Sequence, residues 1–191
     1  MAEIIYFDKP GPGNTDAVAE AVARRRAELG IEHVVCASNS GETALKVWEA
    51  IGDPAVTLVA IPEHAGWKKD SDDSSLTDDR RRMLEDAGIR VLICSHALSG
   101  VARSISNKFG GVSHVEIIAH TLRRISEGTK VAVEVAVMAA DAGLVPTDRE
   151  IIAVGGTGRG ADTALVLRPA HMNSFFDLEI REIICKPRQR N

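Results

Sequence analysis

Short apolar runs alternate along this chain with longer stretches in which apolar positions recur every three or four residues, and turn residues separate the two. After Ile4-Ile5-Tyr6-Phe7, the break Pro10-Gly11-Pro12-Gly13 leads to Asn14 or Thr15, either of which can cap a helix through Leu29, where Gly30 stops it. The same reasoning predicts a strand over 33–37, a helix from Glu42 to Ala50 and a strand over 56–61. Lys68 to Ser75 is polar and aperiodic, a solvated loop whose position would also suit a lid. Thr77 or Asp78 can cap a helix to Ala87, and Ile89-Arg90-Val91-Leu92-Ile93-Cys94 reads as a further buried strand.

Ser113 to Ile125 has helical spacing, with Val115, Ile118, Ala119 and Leu122 on one face. Val131 to Ala142 has the apolar density of a strand, but Glu134, Met138 and its alanines favour a helix closed by Gly143, with Pro146 just beyond. Strands over 150–154, 163–168 and 179–185 complete the order. It predicts an α/β fold, three-layer α/β/α, with a mostly parallel sheet covered on both faces. Thr43-Ala44-Leu45 recurs as Thr163-Ala164-Leu165, yet helix follows the first and strand the second, so there is no internal repeat.

The 191 residues suffice for one core, and residues 1–191 are read as a single domain. A formal charge of −4 and 4% aromatic residues point away from nucleic acid, which needs a basic surface or stacking platforms. Met1-Ala2-Glu3 lacks the basic start of a leader, and Val131 to Ala140 is too short to span a bilayer and carries Glu134. The expectation is a cytoplasmic protein without membrane contact. Cys36, Cys94 and Cys185 each lie in an apolar run without ligand spacing and are expected as reduced thiols. The oligomeric state is left open.

Two small-residue loops carry the candidate chemistry. Ser38-Asn39-Ser40-Gly41-Glu42-Thr43 follows one apolar run and Gly155-Gly156-Thr157-Gly158-Arg159-Gly160 follows another. Between a strand and a helix, such a loop lets backbone N–H groups and hydroxyls converge on an anion at the positive helix end. In a parallel sheet, ligands bind beyond the carboxyl ends of the strands. The residues expected on that rim are Ser38 and Asn39, His64, Ser95 and His96, Gly155 to Arg159, and His171 with Asn173. Arg159 is the cation best placed for a phosphate, ahead of Arg168. Arg103 and Lys108 flank a polar stretch read as a solvated loop that could close over a ligand. Glu134 and Asp141 are too far apart along a helix to share a proton. No G-x-S-x-G, H-E-x-x-H or Walker A lysine is present, so no nucleophile and base can be paired.

The first loop resembles the effector-phosphate loop of the pyruvate kinase C-terminal domain. Carried over by position, Ser38, Asn39, Ser40 and Thr43 would contact the phosphate around Gly41. The wider chain resembles a family of small archaeal and bacterial proteins described as pyruvate kinase α/β-domain-like. Lys9-Pro10-Gly11-Pro12, Ser95-His96-Ala97-Leu98-Ser99-Gly100, Arg103-Ser104-Ile105-Ser106, Met138-Ala139-Ala140-Asp141-Ala142-Gly143, Gly158-Arg159-Gly160-Ala161-Asp162-Thr163 and Arg168-Pro169-Ala170-His171-Met172-Asn173 carry that likeness.

The resemblance implies a pyruvate kinase C-terminal-like fold and an association with flavin mononucleotide (FMN). The phosphate would sit at one or both loops, the second through Gly156, Thr157, Gly158 and Arg159, with the ring near His64, Ser95 and His96. It also implies that the chain is not itself a kinase, because phosphoryl transfer in that enzyme belongs to a barrel of about 250 residues. Ala44-Leu45-Lys46-Val47-Trp48 stands where true pyruvate kinases carry an arginine and a proline, so fructose 1,6-bisphosphate is not the expected ligand. Beside a flavin protein with a redox role stand two alternatives. One is a non-catalytic sensor of a small phosphorylated metabolite; the other is a metal-dependent hydrolase on His64, His96 and His171.

Overall fold

A computed structural model describes residues 3–68 and 70–189 of the chain. Lys69 of the expected polar loop, and Met1 and Ala2 of the expected leaderless start, lie outside the described residues. Seven strands form one sheet: β1 Ile5–Phe7, β2 His33–Ala37, β3 Thr57–Ile61, β4 Arg90–Val91, β5 Ile151–Gly155, β6 Thr163–Arg168 and β7 Glu179–Pro187. Their spatial order is β1-β7-β6-β5-β2-β3-β4. The helices are α1 Thr15–Leu29, α2 Glu42–Ile51, α3 Asp78–Asp86, α4 Val101–Phe109, α5 His114–Leu122 and α6 Glu127–Asp141.

Strand periodicity sorts the core into two layers. Val34, Cys36, Leu58, Ala60, Ile152, Val154, Ala164 and Val166 point to the face covered by α1, α2 and α3, where Val18, Val22, Val47 and Leu84 meet them. Their alternates Val35, Val59, Ile61, Ile151, Ala153, Leu165 and Leu167 pack against Ala132, Val133, Ala136 and Ala139 of α6. This is the expected three-layer α/β/α arrangement. Buried on both faces, the central strands read as continuous apolar runs.

The sheet is mostly parallel, with β6 as the exception: it runs antiparallel to β5 on one side and to β7 on the other. The apolar run at 89–94 yields only a two-residue edge strand. Leu92 N–H still donates to the Ala60 carbonyl at 3.0 Å, after which the chain leaves the sheet, so the longer strand expected there is not formed. Arg103 to Lys108, expected as a solvated loop, lies inside α4.

The helix at 131–142 is confirmed as α6, buried at nearly every position from Gly128 to Ala140 because the sheet covers one side and α5 and the 172–178 segment the other. Thr77 caps α3 by accepting from the Arg80 N–H. Neither candidate caps α1 with its side chain: Asn14 stands at the cap position, but its amide donates back to Lys9 and Gly11, and the Thr15 hydroxyl donates to the Pro12 carbonyl at 2.7 Å. Among the described residues no helix is long and apolar enough to cross a membrane.

Candidate functional site

Register alone brings four strand exits to one edge. Cys36 is opposite Val154, Ala37 opposite Ile61 and Ala60 opposite Val91, all in parallel pairs. The segments that leave β5, β2, β3 and β4 therefore lie side by side. This rim gathers the 155–160 loop, the 38–43 loop, Pro62 to His64, and the turn containing Ser95 and His96.

The two small-residue loops on it are of different kinds. Ser38 to Gly41 is a true strand-to-helix loop. Ser38 is buried; its N–H donates to the Ile61 carbonyl at 3.0 Å and its hydroxyl accepts from the Ala44 N–H at 3.1 Å. Asn39 Oδ1 accepts from the Glu63 N–H at 3.2 Å, stitching the loop to the exit of β3. Gly41 starts α2 with φ of 83°, a left-handed conformation that favours glycine, and a Cβ there would press on Leu84 at 3.2 Å. Among the described residues the N–H groups of Ser40, Gly41, Glu42 and Thr43 find no acceptor. They are the orphan donors of a helix start, and the helix dipole adds positive potential where they point.

The second loop is the tip of the β5–β6 hairpin, with Gly155 opposite Thr163, and opens no helix. Its glycines serve close packing. A Cβ on Gly156 would overlap the Gly160 carbonyl oxygen, and one on Gly155 the Gly128 carbonyl at the start of α6. A buried polar knot holds the hairpin to two helix N-termini. Ala161 N–H donates to Thr15 Oγ1 at 3.1 Å and Gly11 N–H to Asp162 Oδ2 at 3.0 Å. Thr163 donates to Asp162 at 2.8 Å and lies 3.0 Å from the Ser126 hydroxyl. Thr157 is half-buried, and Gly158 and Arg159 are exposed. The Arg159 guanidinium has no hydrogen bond or ion pair among the described residues.

Beside the loops stand the titratable groups. His64 and His96 meet edge to face, with ring centroids 5.3 Å apart. His64 Nδ1 is 2.6 Å from the Ala65 carbonyl, which can only accept, so Nδ1 is the donor. His96 Nδ1 lies 3.5 Å from a Glu63 carboxylate oxygen and 3.8 Å from one of Glu134. Glu134 is buried, accepts from the Leu98 N–H at 2.8 Å and forms an ion pair with equally buried Lys130 one turn earlier. Ser95 is exposed. Glu63 and Lys130 escape the sequence reading, and Glu134 is met there only as an unpaired helix carboxylate. The i,i+4 pair Lys130/Glu134 inside an apolar helix was the available signal; Glu63 offered none.

His171 and Asn173 do not reach this rim. Because β6 is antiparallel, Arg168 and the residues after it emerge at the opposite edge of the sheet. There His171 Nδ1 is 3.2 Å from Asp141, and Arg168 donates to Glu179 at 2.6 Å. Arg168, His171, Thr147 and Asp177 line a separate cavity of about 210 Å³. The three histidines of the alternative hydrolase reading are thus not together, and the described residues hold no metal-binding cluster of His, Cys, Asp and Glu. Burial pushes the Cys36 and Cys185 thiols up to about 12, which makes both inert, and all three cysteines are free.

The family model of the pyruvate kinase alpha/beta domain matches residues 16–167. Solved structures with a similar chain trace include pyruvate kinases of Cryptosporidium parvum. One is 14% identical, with a TM-score of 0.44 over 82% of this chain and 23% of that one. Another, in complex with ADP, is 17% identical, with a TM-score of 0.41 over 84% of this chain and 24% of that one. This chain thus spans about a quarter of their length.

Proposed function

Because the chain belongs to the pyruvate kinase alpha/beta domain family, we propose that it binds a phosphorylated small molecule on the carboxyl rim of its sheet, with the phosphate at the Ser38–Thr43 loop. The observation that carries this reading is the set of unpartnered N–H groups from Ser40 to Thr43 at the start of α2, beside the hydroxyls of Ser40 and Thr43. The hairpin loop is already filled by its own backbone and offers the exposed Arg159 instead. Ser38 and Asn39 shape the first loop through their bonds to Ala44 and Glu63.

FMN is the ligand we propose, on the strength of the family resemblance of the sequence together with this anion-ready loop. His64, Ser95 and His96 would border the ring. Bound there, a flavin would supply one- or two-electron transfer chemistry. The chain's own contribution is to fix the phosphate and to set the His64 and His96 rings at the rim.

A sensor of a phosphorylated metabolite is the second reading. One observation favours it: the rim groups able to move protons face partners inside the protein, His64 Nδ1 on Ala65 and His96 between Glu63 and Glu134. The visible spectrum of protein purified without added cofactor, followed by mass analysis of what acid releases, separates the two. Flavin bands and an FMN mass establish the first. A colourless protein that binds no added FMN but binds inorganic phosphate leaves the second.

A further inference from the structure

Between β3 and α3 the chain leaves the sheet at Pro62 and rejoins the core at buried Leu76. The two ends of this excursion are tied together. Glu63 N–H donates to Ser75 Oγ at 3.0 Å, and Ser75 N–H donates to the Glu63 carbonyl at 3.4 Å. The same Glu63 N–H meets Asn39 Oδ1, so the excursion and the Ser38–Thr43 loop share one anchor. Just beyond it, Trp67 N–H donates to the His64 carbonyl at 3.3 Å, with Gly66 at φ of 72°, as a type II turn requires of its third residue. A β-turn keeps its first and fourth Cα atoms within about 7 Å. Trp67 is therefore anchored beside His64, whose ring meets that of His96. The chain has two tryptophans. Trp48 packs against the core, whereas Trp67 belongs to neither core layer and is 40% exposed, with the Lys68 ammonium 4.9 Å from its ring centroid.

We propose that Trp67 is a specificity-determining residue of the rim, whose indole stacks on a planar aromatic ring carried by the phosphorylated ligand. Resting on the phosphate site proposed above, this role narrows the ligand to a phosphate joined to a flat ring, the chemistry of a flavin or another nucleotide. The rim has a polar end and an aromatic end: backbone donors and hydroxyls at the start of α2, and three aromatic side chains, His64, Trp67 and His96, past the exits of β3 and β4. Asn39 is bonded to Glu63, one residue before His64, so one small molecule can span both ends. The indole also has surface to give. A tryptophan side chain of roughly 150–250 Å² with 40% exposure leaves about 60–100 Å² to cover, worth roughly 10- to 70-fold in affinity. A flat ring covers that surface face to face, whatever its edge pattern, whereas a ligand without a ring covers little of it. Lys68, held over the indole, adds a cation at the same place.

Isothermal titration calorimetry with FMN and with ribitol 5-phosphate, which is FMN without its ring, tests this role. Wild type should bind FMN the more tightly, by about tenfold or more. Trp67→Ala should remove about tenfold or more of the FMN affinity and leave that of ribitol 5-phosphate unchanged, which also shows that the variant is folded. Trp67→Phe keeps a stacking face and should restore most of the loss. FMN affinity indifferent to Trp67→Ala would place the ring elsewhere, and an equal loss of both ligands would make Trp67 a support of its loop. Either result overturns the stacking role while the phosphate site stands. Wild type that binds neither compound overturns the phosphate site itself, and the stacking role with it.

Discussion

A glycine can be present for its backbone conformation or for the space it leaves, and the hairpin tip contains both cases two residues apart. Gly156 has ordinary φ but no room, since a Cβ would overlap the Gly160 carbonyl; Gly158 has φ of 75° and nothing within 4 Å. Gly156→Ala should therefore cost about 3 kcal/mol, because backbone must shift, and Gly158→Ala about 1 kcal/mol, from left-handed strain alone. Urea midpoints of the two variants check the ranking, and equal losses would mean that the tip rearranges freely. His33, at the start of β2, is a residue of a third kind. Its Nδ1 is buried without a partner and desolvation lowers its pKa below 6.5. The unfolded chain then takes up a proton that the folded chain refuses. That stability is whole above pH 6.5 and is lost as pH falls from there toward the lowered folded value. Measured at about pH 7.5 and 5.5, wild type should lose more stability than His33→Gln, whose side chain does not titrate. Parallel behaviour of the two proteins would show that the ring is solvated.

At the scale of elements, α6 poses the sharpest energetic question, because it carries the Lys130–Glu134 pair into the core. A buried pair is costly to break and cheap to replace. Glu134→Gln keeps an acceptor for the Leu98 N–H but strands the Lys130 charge, and should destabilise by about 3–5 kcal/mol; the double change Lys130→Met with Glu134→Leu removes both charges and should cost only the stranded Leu98 N–H, about 1–2 kcal/mol. If denaturant titrations show equal losses, the pair is hydrated in solution. Glu134 also holds the turn that presents His96, so the double variant separates core stability from rim geometry. The same helix shows what periodicity can convey. Its apolar density left strand and helix open, and its alanines and Met138 decided correctly. Periodicity failed at β4, where apolar Leu92 to Cys94 leave a sheet edge with no further strand to pair. It failed also at α4, whose spacing is regular but whose apolar side faces solvent, so no core-facing stripe marked it out.

The placement of a site belongs to the whole molecule, because it depends on strand direction, which no local pattern carries. The antiparallel run of β6 sends His171 and Asn173 to the far edge, while parallel register sets the exits of β2 and β5 side by side and the Asn39 bond draws Glu63 to them. The candidate residues of the rim were legible from strand ends and loop composition; the distinction between an anion-ready helix start and a tightly packed hairpin was not. That distinction yields a test on the intact domain. A ligand held where β2, β3 and β5 end binds only the folded state, so it stabilises the core as one unit. Inorganic phosphate at about 100 times its dissociation constant should add about 2.7 kcal/mol, a rise in Tm of about 5–10 °C for a chain of this size. Chloride at matched ionic strength should not. Arg159→Ala should weaken phosphate by about 2 kcal/mol, near 30-fold, if its free guanidinium joins the anion. Thr43→Val removes a hydroxyl but no backbone donor, and should weaken phosphate by about 1 kcal/mol. An equal rise in phosphate and chloride would reduce the effect to screening and remove the Ser38–Thr43 loop as the site. A phosphate-specific rise that survives Thr43→Val but is abolished by Arg159→Ala would move the anion to the hairpin tip instead.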